Sequence, residues 1–106
     1  MQKQNILVID DIRTFIDTAN TVFTYARTSE DGFKYLNSDY HWDEIWTDHD
    51  MGTLQDGTYD NIRGIICFLE EYHEQFEGTK IKIISSNSVG RAYIKLALER
   101  YYEIIS

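Results

Sequence analysis

The chain has 106 residues, 42% of them hydrophobic, and carries 18 Asp and Glu against 10 Lys and Arg for a formal charge of −8. That length allows one domain, residues 1–106, and the apolar fraction is that of a folded globule. The acidity argues for solubility and against binding a nucleic-acid duplex, and no apolar run reaches the ~20 residues that span a bilayer, so no membrane role and a cytoplasmic location are expected.

In chain order, residues 5–9 form an apolar run that reads as a fully buried strand and stops at Asp10-Asp11. Residues 12–20 are ambiguous between a short helix and an irregular crossover. Thr14, Asp17, Thr18 and Asn20 weaken a helix there, and only Phe15, Ile16 and Ala19 give an apolar edge. Val22 to Ala26, β-branched and aromatic, reads as a second strand. Thr28-Ser29-Glu30-Asp31 begins a brief helix that ends near Asn37. Trp42 to Thr47 is the third strand and runs into Asp48-His49-Asp50. Met51 to Tyr59, with Gly52, Asp56 and Gly57, reads as a loop.

Asp60 to Phe76 carries the strongest helical pattern, with Ile62, Ile65, Ile66, Leu69, Tyr72, His73 and Phe76 at three- and four-residue steps and Gly78 as a C-terminal cap. Cys67, inside that pattern, reads as a small buried hydrophobe, and a lone cysteine excludes an internal disulfide. Lys80 to Ile84 is the fourth strand and stops at Ser85-Ser86-Asn87. Ser88 caps a last helix whose wet stripe is Arg91, Lys95 and Glu99, and Tyr102 to Ile105 is either a fifth strand or a continuation of that helix. His41 and His73 read as structural, and Trp42 and Trp46 as core or sheet-face residues.

This alternation predicts an α/β fold: a three-layer sandwich with a short parallel sheet of four to five strands, order 2-1-3-4 and possibly 5, helices on both faces and a degenerate first helix. Parallel strands gather their carboxyl ends on one rim, where ligands bind. Asp10, Asp11, Asp48, Asp50, Ser85 and Asn87 then converge. Grouped carboxylates repel, and a divalent cation relieves them. Hard oxygens favour Mg²⁺, Mn²⁺ or Ca²⁺ over Zn²⁺, and Mg²⁺ or Mn²⁺ is the expected cofactor, with Asp10, Asp11, Asp48 and Asp50 as candidate ligands. His49 is either a general acid or base or an orienting residue behind the acids. Ser85, Asn87, Ser88 and Arg91 surround a strand-to-helix turn that either contacts phosphate through free amides or is an ordinary capped turn with a solvated arginine. Arg13 is a second phosphate clamp or a salt-bridge partner of Asp11 or Asp17.

Asp-Asp after the first strand and Asp48 after the third resemble a response-regulator receiver domain, whose fifth-strand lysine has no counterpart here. The chain is more similar to the cyclic-phosphate-processing receiver domains. It has Asp10-Asp11-Ile12-Arg13, then Asp48-His49-Asp50-Met51-Gly52, then Ser85-Ser86-Asn87-Ser88-Val89-Gly90-Arg91, and Tyr59-Asp60 before the long helix. Ile84 stands where that pattern has histidine, and Ser88 where it has proline. The resemblance implies metal-dependent hydrolysis of a cyclic phosphate or nucleotide, a phosphate-containing small molecule as partner. Asp48, His49 and Asp50 would be catalytic, and Arg13, Ser85, Asn87 and Arg91 would hold the substrate. The alternatives are a pseudo-receiver signalling module with Asp48 as phosphoacceptor, and a non-catalytic interaction protein of the phage-inhibitor or ligand-sponge kind with a protein partner.

Overall fold

The computed structural model describes residues 3–105. In chain order the elements are β1 (Gln4–Ile9), β2 (Thr21–Ala26), α1 (Ser29–Leu36), β3 (Glu44–Thr47), β4 (Asp50–Thr53), β5 (Tyr59–Asn61), α2 (Arg63–Glu71), a 3₁₀ turn (His73–Phe76), β6 (Lys80–Ile83), α3 (Ser88–Leu98) and β7 (Ile104–Ile105). β1, β2, β3, β6 and β7 form one parallel sheet in the order β2-β1-β3-β6-β7. This is the expected receiver-like α/β order, with the fifth strand present. No helix among the described residues is long and apolar enough to cross a membrane.

Register decides which side chains share a face. Leu7 pairs with Ile45, which pairs with Ile81; Ile9 pairs with Thr47, which pairs with Ile83. Leu7, Ile9, Ile45, Ile81 and Ile83 join one core with Leu36 of α1, Ile65, Ile66 and Leu69 of α2, and Ile94 and Leu98 of α3. All three helices therefore lie on one face, where helices on both faces were expected. Ile6 and Val8 point the other way by strand alternation and are buried all the same. Residues 11–20 cross that second face as an irregular strap. Phe15 stacks on Phe23 at 5.4 Å and meets the Trp46 ring edge-on at 4.9 Å, and the Tyr25 hydroxyl bonds both the N–H and the carbonyl of Phe15 at 2.7 Å. The strap is too polar and β-branched to be a helix, so one aromatic does the covering.

Four further expectations are corrected. Residues 51–59 are not a plain loop: β4 and β5 form a two-stranded antiparallel hairpin, and Gly52 and Gly57 both take positive φ. The long helix starts at Arg63 rather than Asp60, because Asp60 belongs to β5. There its buried carboxylate accepts from the Ser29 N–H (3.0 Å) and Oγ (2.6 Å), tying the start of α1 to the hairpin. The N-cap of α3 is Asn87, not Ser88, with Oδ1 accepting from the amides of Val89 (3.0 Å) and Gly90 (3.2 Å). Cys67 is exposed, because the stripe of Ile62, Ile65, Ile66 and Leu69 faces the sheet and position 67 falls on its flank.

Candidate functional site

The sheet ladder runs one residue past the strands at the rim. The Asp10 N–H donates to Ala26 O (3.1 Å), the Asp48 N–H to Ile9 O (3.0 Å) and the Ile84 N–H to Thr47 O (3.0 Å). Asp10 and Asp48 are thereby fixed side by side, and carboxylate oxygens of Asp10, Asp11 and Asp48 lie within 4.8 Å of one another. Asp10 is fully buried and Asp48 is 8% exposed.

Each acid is compensated differently. Asp10 Oδ1 accepts from the N–H groups of Ile12 (3.0 Å) and Arg13 (3.2 Å), and Oδ2 from Arg13 Nη1 (2.6 Å). The same Nη1 reaches Asp48 Oδ2 at 3.3 Å, while Asp48 Oδ1 accepts from the His49 N–H at 2.7 Å. Burial pushes the Asp10 carboxyl up, but the two amides and the guanidinium outweigh it and hold it below the ordinary 3.8. Arg13 is therefore the partner of Asp10 and Asp48 rather than of Asp11 or Asp17. Asp11 is pushed above its ordinary value, first by burial and then by the Asp10 and Asp48 charges. Asp11→Asn should accordingly raise the melting temperature of the metal-free protein by a few degrees at neutral pH, read by differential scanning fluorimetry; an unchanged or lower value would mean the three acids are not in conflict.

Two more residues hold this rim: Arg27, which the sequence did not single out, and Tyr59, which it gave only as part of the family pattern. Arg27 follows β2, the strand beside Asp10. Its Nη1 donates to the carbonyls of Asp10 (3.2 Å) and Arg13 (2.6 Å), its Nη2 to Thr14 Oγ1 (2.9 Å), and its guanidinium lies 4.5 Å over the Tyr25 ring. That arginine pins the loop carrying Asp11 and Arg13. Tyr59, 57% exposed, donates its hydroxyl to Asp50 Oδ1. This bond pushes the Tyr59 phenol up to about 12 and is the first cause holding Asp50 below its ordinary value. Gly52 completes the rim: at φ +78 it brings its backbone so close that a Cβ would stand 2.6 Å from Asp11 Oδ2.

Asp50 stands apart from the three-acid group. Besides Tyr59, its Oδ1 faces His49 Nδ1 at 3.1 Å, and its Oδ2 accepts from Asn87 Nδ2 at 3.4 Å. The His49 ring rests against Gly90, where a Cβ would be only 2.6 Å from the histidine Cβ, and meets Tyr93 edge-on at 6.1 Å. The turn before α3 has few free donors: the Val89 and Gly90 amides are taken by Asn87 Oδ1. Arg91 is not a solvated arginine, since Nη1 donates to the carbonyls of Ile83 (2.8 Å) and Ser85 (3.1 Å). Ser85 is buried and its Oγ accepts from the Asn87 N–H at 3.1 Å. His41 lies 3.5 Å from Asp43, and His73 stacks on Tyr101 at 4.0 Å.

The residues fit a hard divalent cation. Three carboxylates converge, two of them buried, and one guanidinium offsets only part of their charge. Asp10, Asp11 and Asp48 could hold such an ion from its protein side. The family model described as Cyclic-phosphate processing Receiver domain matches residues 5–100. No curated protein and no solved structure matches the chain.

Proposed function

The chain belongs to the cyclic-phosphate processing receiver domain family, and on that premise we propose that it hydrolyses a cyclic phosphate or nucleotide with Mg²⁺ or Mn²⁺ held by Asp10, Asp11 and Asp48. The observation that carries this reading is the convergence of those three carboxylates on the strand rim, with the Asp11 carboxyl pushed up by burial and by its neighbours' charges. When bound, the ion supplies charge neutralisation and polarises a phosphoryl oxygen.

The chain's own residues supply positioning and proton transfer. Asp50 holds His49 Nδ1, which leaves the other ring nitrogen to move a proton. Tyr59 and Asn87 hold Asp50 in turn. With isoleucine at position 84, His49 is the histidine we assign to proton transfer. Arg13, half in solvent, meets a phosphate oxygen. Arg91 contributes indirectly, keeping the β6–α3 turn in place through the Ile83 and Ser85 carbonyls. A phosphoacceptor role for Asp48 has less support, because both its oxygens already accept hydrogen bonds and it is nearly buried.

The test is to incubate the protein with 2′,3′- and 3′,5′-cyclic nucleotides and Mn²⁺ or Mg²⁺, following ring opening by ³¹P NMR. Metal-dependent turnover is expected, lost in Asp48→Asn. No turnover with either ion, or equal turnover in the variant, would end this reading.

A further inference from the structure

Arg13 occupies the Asp10–Asp48 side of the three-acid group. Among the described residues it is the one cation paired with these carboxylates, and a single nitrogen, Nη1, spans Asp10 Oδ2 (2.6 Å) and Asp48 Oδ2 (3.3 Å). A divalent ion held by the same oxygens needs distances of about 2.0–2.2 Å and its own share of their lone pairs. Nη1 lies against both of these oxygens, so an ion that takes them competes with it directly. Resting on the metal-site reading above, we infer that Arg13 is a built-in competitor for the cation: it fills the acid pair in the metal-free protein and is expelled by the ion.

The local geometry lets this exchange happen without moving the rim. The Arg13 N–H stays bonded to Asp10 Oδ1 (3.2 Å) and its carbonyl to Arg27 Nη1 (2.6 Å), so the backbone is anchored on both sides. The side chain is 36% exposed, so the guanidinium has solvent to swing into by rotation of its own bonds. The device serves two ends. It stabilises the acid pair when no ion is bound, and it turns out a positive fork at the mouth of the site once one is, where it can meet the phosphate of an incoming ester. The same competition lowers the metal affinity of the wild-type protein, because the ion must break two charge-assisted bonds to enter.

Two readouts, neither of them turnover, test this. In ¹⁵N-labelled wild-type protein, the Arg13 Nε–Hε signal, assigned by its loss in Arg13→Gln, should shift or broaden on saturation with Mg²⁺. By calorimetry, Arg13→Gln should bind Mg²⁺ about tenfold more tightly than wild type. Saturable Mg²⁺ binding with the Arg13 signal unmoved, or with unchanged or weaker affinity in a folded Arg13→Gln, would overturn the competition and leave the metal site standing. Arg13→Lys, which also lacks the Nε–Hε group, supplies the assignment if Arg13→Gln fails to fold, and the wild-type signal then decides by itself. No Mg²⁺ binding to either protein would instead remove the metal site itself, and the competition with it.

Discussion

Asp10→Ala should lower the unfolding free energy of the metal-free protein by about 3 kcal/mol, a fall in melting temperature of roughly 10 °C. The residue is fully buried and accepts three hydrogen bonds, two from backbone amides and one from a guanidinium. Truncation leaves the Ile12 and Arg13 amides without their acceptor at about 1 kcal/mol each, and the charged bond is worth somewhat more. Relief of repulsion on Asp11 and Asp48 gives back part of this, which is why the figure is not larger. The pH dependence follows from the direction of the Asp10 shift. Its folded carboxyl lies below the ordinary 3.8, so the stability it contributes is present above about pH 4 and is lost as pH falls through the folded value. Urea unfolding at pH 7 and pH 3 should show a steep acid loss in wild type and a shallower one in Asp10→Ala. Equal slopes would mean that Asp10 is not the carboxylate the fold depends on.

Gly52→Ala should damage ion binding more than folding. A residue with a Cβ at φ +78 costs about 1–2 kcal/mol of backbone strain. The added carbon also lands 2.6 Å from Asp11 Oδ2. Asp11 is a rim side chain and can rotate away, so the chain still folds, but the third carboxylate leaves the group. Mn²⁺ affinity measured by electron paramagnetic resonance should drop by at least about tenfold, comparable to the loss of a supporting contact in other metal sites. Retained affinity would show that Asp11 is not a ligand.

The acid rim was legible in sequence for a physical reason. Buried parallel strands are apolar runs, their polar stops lie at one end of the sheet, and Ile9-Asp10 and Thr47-Asp48 are such stops. The one-sided helical layer also left a signal. Lys80-Ile81-Lys82-Ile83 alternates polar and apolar, and strands covered by helices on both faces do not. The β4–β5 hairpin left almost none. Its strands are four and three residues long, carry Gly and Asp, and read as loop. That hid the pairing of Tyr59 with Asp50 and so the separation of Asp50 from the other acids. The α3 cap was missed by one residue because Asn87 and Ser88 are both good caps, and only the backbone decides between them. The Arg13 bridge depends on three-dimensional reach across 35 positions of chain, which spacing alone does not convey.

The proposed chemistry needs one rim to hold one ion. A crystal soaked in Mn²⁺ and measured at the manganese absorption edge gives the most direct answer. An anomalous peak about 2.2 Å from oxygens of Asp10, Asp11 and Asp48, with Arg13 turned outward, is the predicted result. No peak at that rim at millimolar Mn²⁺, with Arg13 still bridging Asp10 and Asp48, would contradict it.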